Sequence, residues 1–144
     1  MAQLGIIGGT GISSFEGLVP TGTHLPVTPF GDVSAAIQEG AVGGHRVFFL
    51  QRHGSIGTVI PPHLVNYRAN LWALQALGVD EIVAINAVGG ISADMQPGRL
   101  VVPDQLIDYT WGRAHTFDDG SSGTLRHIDF TQPYDSALRQ ALLD

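Results

Sequence analysis

Apolar residues in this chain come in short runs that stop at glycine. Leu4-Gly5-Ile6-Ile7 ends at Gly8-Gly9-Thr10-Gly11, the pattern of a buried strand feeding a tight turn. Val33 to Val42 and Val47 to Leu50 predict two further strands, with Gly43-Gly44 as the turn between them. Glu81 to Ile85 reads as another buried strand and runs into Asn86-Ala87-Val88-Gly89-Gly90. Leu100-Val101-Val102-Pro103 predicts a fifth, which Pro103 closes or places at an edge. One stretch follows the helical period instead. Leu64, Tyr67, Leu71, Leu74 and Leu77 lie on one face and predict a helix from His63 to Leu77. Pro61-Pro62 introduces it and Gly78 follows it, the usual asymmetry of helix ends. Strand, helix and strand in that order from Val47 to Ile85 form a crossover unit, which implies parallel pairing. The fold class is therefore α/β, a layered α/β/α sandwich around a central mixed, largely parallel sheet.

Residues 1–144 contain no internal repeat, linker or low-complexity stretch and read as a single domain. Ser136 to Leu143 sets Leu138, Ala141 and Leu142 at helical spacing and stops without a C-terminal cap, so the natural chain is expected to continue. The composition, 44% hydrophobic and 14% charged, is that of a folded protein with a core. Seven Lys and Arg stand against thirteen Asp and Glu, a formal charge of −6, and the basic residues form no cluster. Nucleic acid is thereby excluded as a partner. A small anion remains open to an acidic protein, provided that a local device such as a turn of amides or a single Arg receives it. The absence of cysteine removes disulfides, zinc–thiolate sites and cysteine nucleophiles. Met1 to Thr10 lacks a basic start, and no apolar run reaches membrane-spanning length; the expectation is a cytoplasmic protein without membrane partners.

Three strand ends carry the candidate chemistry. Gly8-Gly9-Thr10-Gly11 can offer backbone amides and the Thr10 hydroxyl to an anion, or can be a plain tight turn. Its glycines match only part of a dinucleotide fingerprint, because Ser14 stands where the third glycine belongs, and no Lys follows to make a Walker loop. Arg52-His53-Gly54 follows Val47 to Leu50 directly, and a permanently charged fork beside an imidazole suits an oxyanion with several acceptor oxygens. A surface ion pair and a satisfied histidine would also explain it. Asn86 and Ala87, at the end of Glu81 to Ile85, add an amide donor and room for close backbone approach. Together the three could surround one phosphate without a metal. The other histidines, His24, His45, His63, His115 and His127, match no zinc spacing, so no metal is expected. The Gly-x-Ser-x-Gly elbow of a serine hydrolase is absent. Trp72 reads as packing, and Tyr109 and Trp111 remain open.

Longer motifs point further. Gly5-Ile6-Ile7-Gly8-Gly9-Thr10-Gly11, Thr28-Pro29-Phe30-Gly31, Arg52-His53-Gly54, the run from Val65 to Leu74 and Gln105-Leu106-Ile107-Asp108 occur in that order. The chain resembles the N-terminal part of the methylthioadenosine/methylthioinosine phosphorylase branch of the purine nucleoside phosphorylase family. That resemblance implies a phosphorylase-like sandwich in which Thr10, Arg52 and His53 bind phosphate and Asn86 and Ala87 line the same pocket. It implies that His127 reaches the 5′-substituent pocket of a neighbouring subunit in a homotrimer. The partners implied are a nucleoside and phosphate, with phosphate a co-substrate and no cofactor; the implied role is purine salvage.

Two positions depart from the family. Asn86 stands where methylthioadenosine phosphorylases often carry Thr, and Asn-Ala-Val-Gly-Gly is closer to methylthioinosine and inosine phosphorylases. Gly57 stands where many members have a second His. The chemistry implied is attack of phosphate on the sugar's anomeric carbon through an oxocarbenium-like state. In the family, the acid that protonates the leaving purine lies beyond Asp144, so no catalytic acid is assigned here. Three other readings stay open: a non-catalytic phosphate or nucleoside-binding fragment, a phosphorylase of inosine or guanosine, and a dehydrogenase.

Overall fold

The computed structural model describes residues 2–12, 14–15, 17–55, 57–121 and 123–144. Five strands, β1 (Leu4–Gly8), β2 (Val19–His24), β3 (Ile37–Val42), β4 (His45–Gln51) and β5 (Glu81–Ile85), form one mixed sheet in the order β2-β3-β4-β1-β5. β1 lies at its heart and pairs in parallel with β4 on one side and β5 on the other. β2, β3 and β4 make an antiparallel meander, with β3 and β4 joined by the turn at Gly43 and Gly44, both at positive φ. The mixed α/β sheet anticipated from the sequence is thus present, and the crossover from β4 to β5 passes over β1.

Helix α1 (Tyr67–Ala76) supplies that crossover. It begins later than the periodicity of Leu64 to Leu77 predicts. Pro62–Leu64 form a single 3-10 turn, Val65 is extended, and Asn66 then caps α1 by accepting the Ala69 amide at 3.1 Å. The buried face also differs. Ala69, Asn70, Ala73 and Leu74 face the sheet, whereas Leu64 and Leu71 are exposed. The helix lies close to β1, where a side chain on Gly5 would stand 3.6 Å from Leu74 of α1 and 2.8 Å from Val79 in the loop beyond it. Ile7, Ile37, Phe48, Leu50 and Leu74 meet in the resulting core. Each such burial is worth about 1.5–3 kcal/mol. On the opposite face Ile6, Val47 and Phe49 are covered by Ile12, Phe15 and Leu18 from the segment between β1 and β2.

Two further expectations require correction. The strand foreseen over Val33 to Val42 begins only at Ile37. Before it, Ser34 is committed to the helix: its amide donates to Asn70 Oδ1 and its hydroxyl accepts from Asn70 Nδ2, both at 2.8 Å. This pair satisfies a buried amide and holds residues 33–36 out of the ladder. Leu100 to Pro103 form no strand at all. Leu100 is 91% exposed and among the described residues no partner strand lies alongside, so an apolar run has nothing to pair with. β2, by contrast, escaped the sequence reading because Pro20 and Gly22 disguise it; it is an edge strand with a register shift between those residues.

The chain divides into two compact units, Met1–Ala87 and Val88–Asp144. The first holds the sheet and α1. The second is irregular until α2 (Ser136–Leu143), which Asp135 caps by accepting the Leu138 amide at 2.8 Å. Among the described residues no helix is long and apolar enough to cross a membrane.

Candidate functional site

The parallel register aligns the C-terminal ends of three strands. Gly8 of β1 pairs with Gln51 of β4 and with Ile85 of β5, so the next residues in each strand, Gly9, Arg52 and Asn86, emerge at one edge. Carboxyl ends of parallel strands are where α/β sheets most often receive ligands. Backbone bonds extend the alignment by one residue. The Gly9 amide donates to Ile85 O at 3.0 Å, and the Arg52 amide donates to Gly8 O at 3.0 Å.

From this edge the Arg52 side chain reaches across β1. Its NH1 donates a short hydrogen bond to Asn86 Oδ1, and its Nε–H donates to His53 Nε2 at 3.2 Å. Gly9 is what lets it pass. A side chain there would collide with the guanidinium and stand 2.8 Å from Ile85 O, so only a glycine leaves the path open. Arg52, His53, Asn86 and Gly9 are thus brought into one cluster. Thr10 continues the same turn, and Ala87 follows Asn86 out of β5.

The charge arrangement follows from the partners. Arg52 is held by an imidazole and an amide oxygen, both neutral acceptors, and among the described residues no carboxylate pairs with it. Elsewhere the protein does pair an arginine. Arg46 Nε donates to Glu39 at 2.7 Å, and His24 lies 2.6 Å from the same carboxylate. Hydrogen bonding from Arg46 first, and then from His24, holds the Glu39 carboxyl below its usual range. In an acidic chain, a guanidinium fixed by neutral groups keeps its whole charge for an incoming anion. Among the described residues nothing takes the Thr10 amide, the Thr10 hydroxyl or the Gly11 amide, so further donors remain in the same turn.

The second and fourth sequence motifs are tied to each other. Thr28 closes a turn by donating to Gly31 O at 2.6 Å, with Gly31 at positive φ. Asn66 Nδ2 then donates to Phe30 O at 2.7 Å, and the Arg68 guanidinium lies 4.9 Å from the Phe30 ring centroid. The loop after Arg52 is also fixed. The Ile60 amide donates to His53 O at 2.9 Å, and Gly54 takes positive φ with the Thr58 carbonyl packed where a side chain would stand. Nothing in the sequence marked Ile60 as part of this arrangement, because its contribution is made by its backbone amide and carbonyl.

His127 lies in the unit Val88–Asp144, in an exposed irregular stretch. Close to it Asp129 accepts from Thr131, whose side-chain and then backbone donors hold the Asp129 carboxyl below its usual range. Asp108, in the last motif, is lowered in the same way by Thr110. The described part of this unit that includes Gln105, Tyr134 and Arg139 lines a shallow depression of about 430 Å³.

The Phosphorylase superfamily matches residues 3–144. The chain is 49% identical over 144 residues to a probable S-methyl-5′-thioinosine phosphorylase of Pseudomonas syringae pv. tomato, covering 99% of this chain and 58% of that protein. It is 43% identical over 148 residues to a 6-oxopurine nucleoside phosphorylase of Pyrococcus furiosus, covering 99% of this chain and 54% of that one. Methylthioadenosine phosphorylase from Schistosoma mansoni in complex with adenine superposes with a TM-score of 0.90 at 40% identity, over 99% of this chain and 52% of that structure. The chain spans about half the length of the curated relatives it matches.

Proposed function

The chain belongs to the phosphorylase superfamily, and from that membership we propose that it is the phosphate-binding part of a nucleoside phosphorylase. The substrate proposed is a 5′-methylthio purine nucleoside, cleaved by inorganic phosphate to free purine and 5-methylthioribose 1-phosphate. One observation carries the reading: a guanidinium with no carboxylate partner among the described residues, held at the aligned ends of β4, β1 and β5. Arg52 and the amides of Thr10 and Gly11 would hold the phosphate dianion, with Asn86 and Ala87 beside it. A phosphate oxygen attacks the anomeric carbon as the bond to the purine nitrogen breaks, and the dianion offsets the positive charge developing on the sugar. No cofactor is required by this chemistry. Proton delivery to the purine is assigned to no residue of this chain.

The finer reading follows the family resemblance. It is a homotrimer acting in cytoplasmic purine salvage, with His127 serving the 5′-substituent pocket of a neighbouring subunit. Sedimentation of the full-length protein tests the trimer. A second reading, phosphorolysis of inosine or guanosine, is favoured by the sequence Asn86-Ala87-Val88-Gly89-Gly90, and a comparison of methylthioinosine with inosine separates the two. Release of purine by the full-length protein should require phosphate; equal release without phosphate would sink both. Arg52→Ala should raise the KM for phosphate about ten- to a hundredfold, the size of a lost charge-assisted hydrogen bond, with little change in nucleoside KM.

A further inference from the structure

We infer that His53 is a positioning residue for Arg52: as a neutral imidazole protonated on Nδ1, it accepts the Arg52 Nε–H and aims the guanidinium. The inference rests on the reading of this edge as an anion site, but its own observation is separate. His53 Nδ1 lies 2.9 Å from Ile60 O, and a carbonyl can only accept, so the proton sits on Nδ1. Nε2 is then a bare lone pair, and it faces the Arg52 Nε–H at 3.2 Å. Protonating Nε2 would set two donors and two positive charges against each other. The neutral tautomer is the one that both neighbours require.

The scaffold fixes this arrangement from three sides. The Ile60 amide returns a bond to His53 O at 2.9 Å, which ties residues 53 and 60 together twice. Gly54 allows the loop to turn at positive φ, and the Arg52 amide is anchored on Gly8 O. Asn86 Oδ1 receives NH1, so the fork is held at two points and its remaining N–H groups are left for an oxyanion. His53 therefore serves the anion through Arg52. Holding a guanidinium this way restricts its rotamers before the ligand arrives, which is how preorganisation raises affinity.

The test uses the full-length protein and its phosphate KM. His53→Ala should raise that KM about tenfold while nucleoside KM stays within about twofold, as expected for a lost hydrogen bond to a charged group. His53→Gln can donate to Ile60 O and accept from Arg52 Nε–H, so it should recover most of the loss. In an Arg52→Ala background, His53→Ala should add less than about twofold, because a residue acting through Arg52 has nothing left to act on. A double variant in which the two losses multiply, or a Gln variant as poor as Ala, overturns the inference. Nitrogen-15 NMR of labelled histidine in the unmutated protein decides independently of any folding defect. A protonated Nδ1 and bare Nε2 are expected with and without phosphate, and a protonated Nε2 overturns the assignment. Should Arg52→Ala leave phosphate KM unchanged, the anion site itself is misplaced, while the NMR result still reports on His53.

Discussion

In Met1–Ala87 the large apolar side chains of Phe48, Phe49, Ile37, Leu50 and Leu74 are closed off from solvent, whereas in Val88–Asp144 those of Ile91, Leu100, Tyr109 and Trp111 stand in it. The two units also hold their polar groups differently. In the first, hydrogen bonds join residues far apart in sequence, such as Ser34 with Asn70, Asn66 with Phe30 and Arg52 with Asn86. In the second, Gln105 reaches Thr131 O and Arg139 reaches Pro103 O, but Asp108, Asp118, Asp119 and Asp129 each accept from an amide two residues on. Bonds of that short span shape a turn but do not place it in space. The difference explains where a precise cluster can form. A guanidinium can be held to within a fraction of an ångström only where buried strands fix the residues that carry its partners.

The largest expected effect sets the two units directly against each other. Phe48→Ala should destabilise the chain by about 3–5 kcal/mol in urea unfolding, through lost burial and the cavity left behind. Trp111→Ala, at a residue 89% exposed, should change it by less than about 0.5 kcal/mol. Equal losses would break the contrast.

Gly9→Ala sharpens it at the site. The added methyl meets the Ile85 carbonyl, which as strand backbone cannot swing aside, and obstructs Arg52. We expect about 1–3 kcal/mol of lost stability, as for overpacking. A roughly tenfold higher KM for phosphate in the full-length protein should accompany it, since the Arg52 hydrogen bonds are displaced. Unchanged phosphate titration would separate Gly9 from Arg52.

The two helix caps give a smaller version of the same comparison. Asn66→Ala removes the cap of α1 and the bond to Phe30 O and should cost about 1–2 kcal/mol. Asp135→Ala removes the cap of α2, a helix without a buried residue, and should cost about 0.5 kcal/mol or less by thermal unfolding.

Acid should produce the smallest effect. Glu39 has a folded pKa below its ordinary value because Arg46 and then His24 donate to it. The stability it contributes is therefore complete above the unfolded value and is lost as pH falls through the folded one. Glu39→Gln should flatten the decline of Tm with pH across the carboxylate range. Asp108 and Asp129 are lowered too, but by neighbours only two residues away, which an unfolded chain retains in part. Their amide variants should flatten it less.

Much of this protein was legible before any fold was known. β1 and β4 showed as short apolar runs because strands buried on both faces must be apolar throughout; β5 showed as one too, although it is an edge strand with Ala84 exposed rather than the buried strand expected. Thr10, Arg52, Asn86 and Ala87 showed as donors and small residues placed just after those runs. The misses share a cause. β2 carries Pro20 and Gly22 and owes its existence to the neighbouring β3, and Leu100 to Pro103 fail as a strand for want of one. Residues 33–36 and the start of α1 were decided by Asn70 and Asn66, whose hydrogen bonds reach 36 residues along the chain.

What the sequence determined alone is local: which runs are buried, where glycine permits a turn, and which residues carry charge. The tertiary structure alone decided that Gly9, Arg52 and Asn86 share one edge, that the helix buries Ala69 and Ala73, and that Ile60 sets the tautomer of His53. The physical reason is range. Periodicity and turn chemistry act over a few residues, whereas register, close approach and a backbone carbonyl's partner exist only once distant segments have packed.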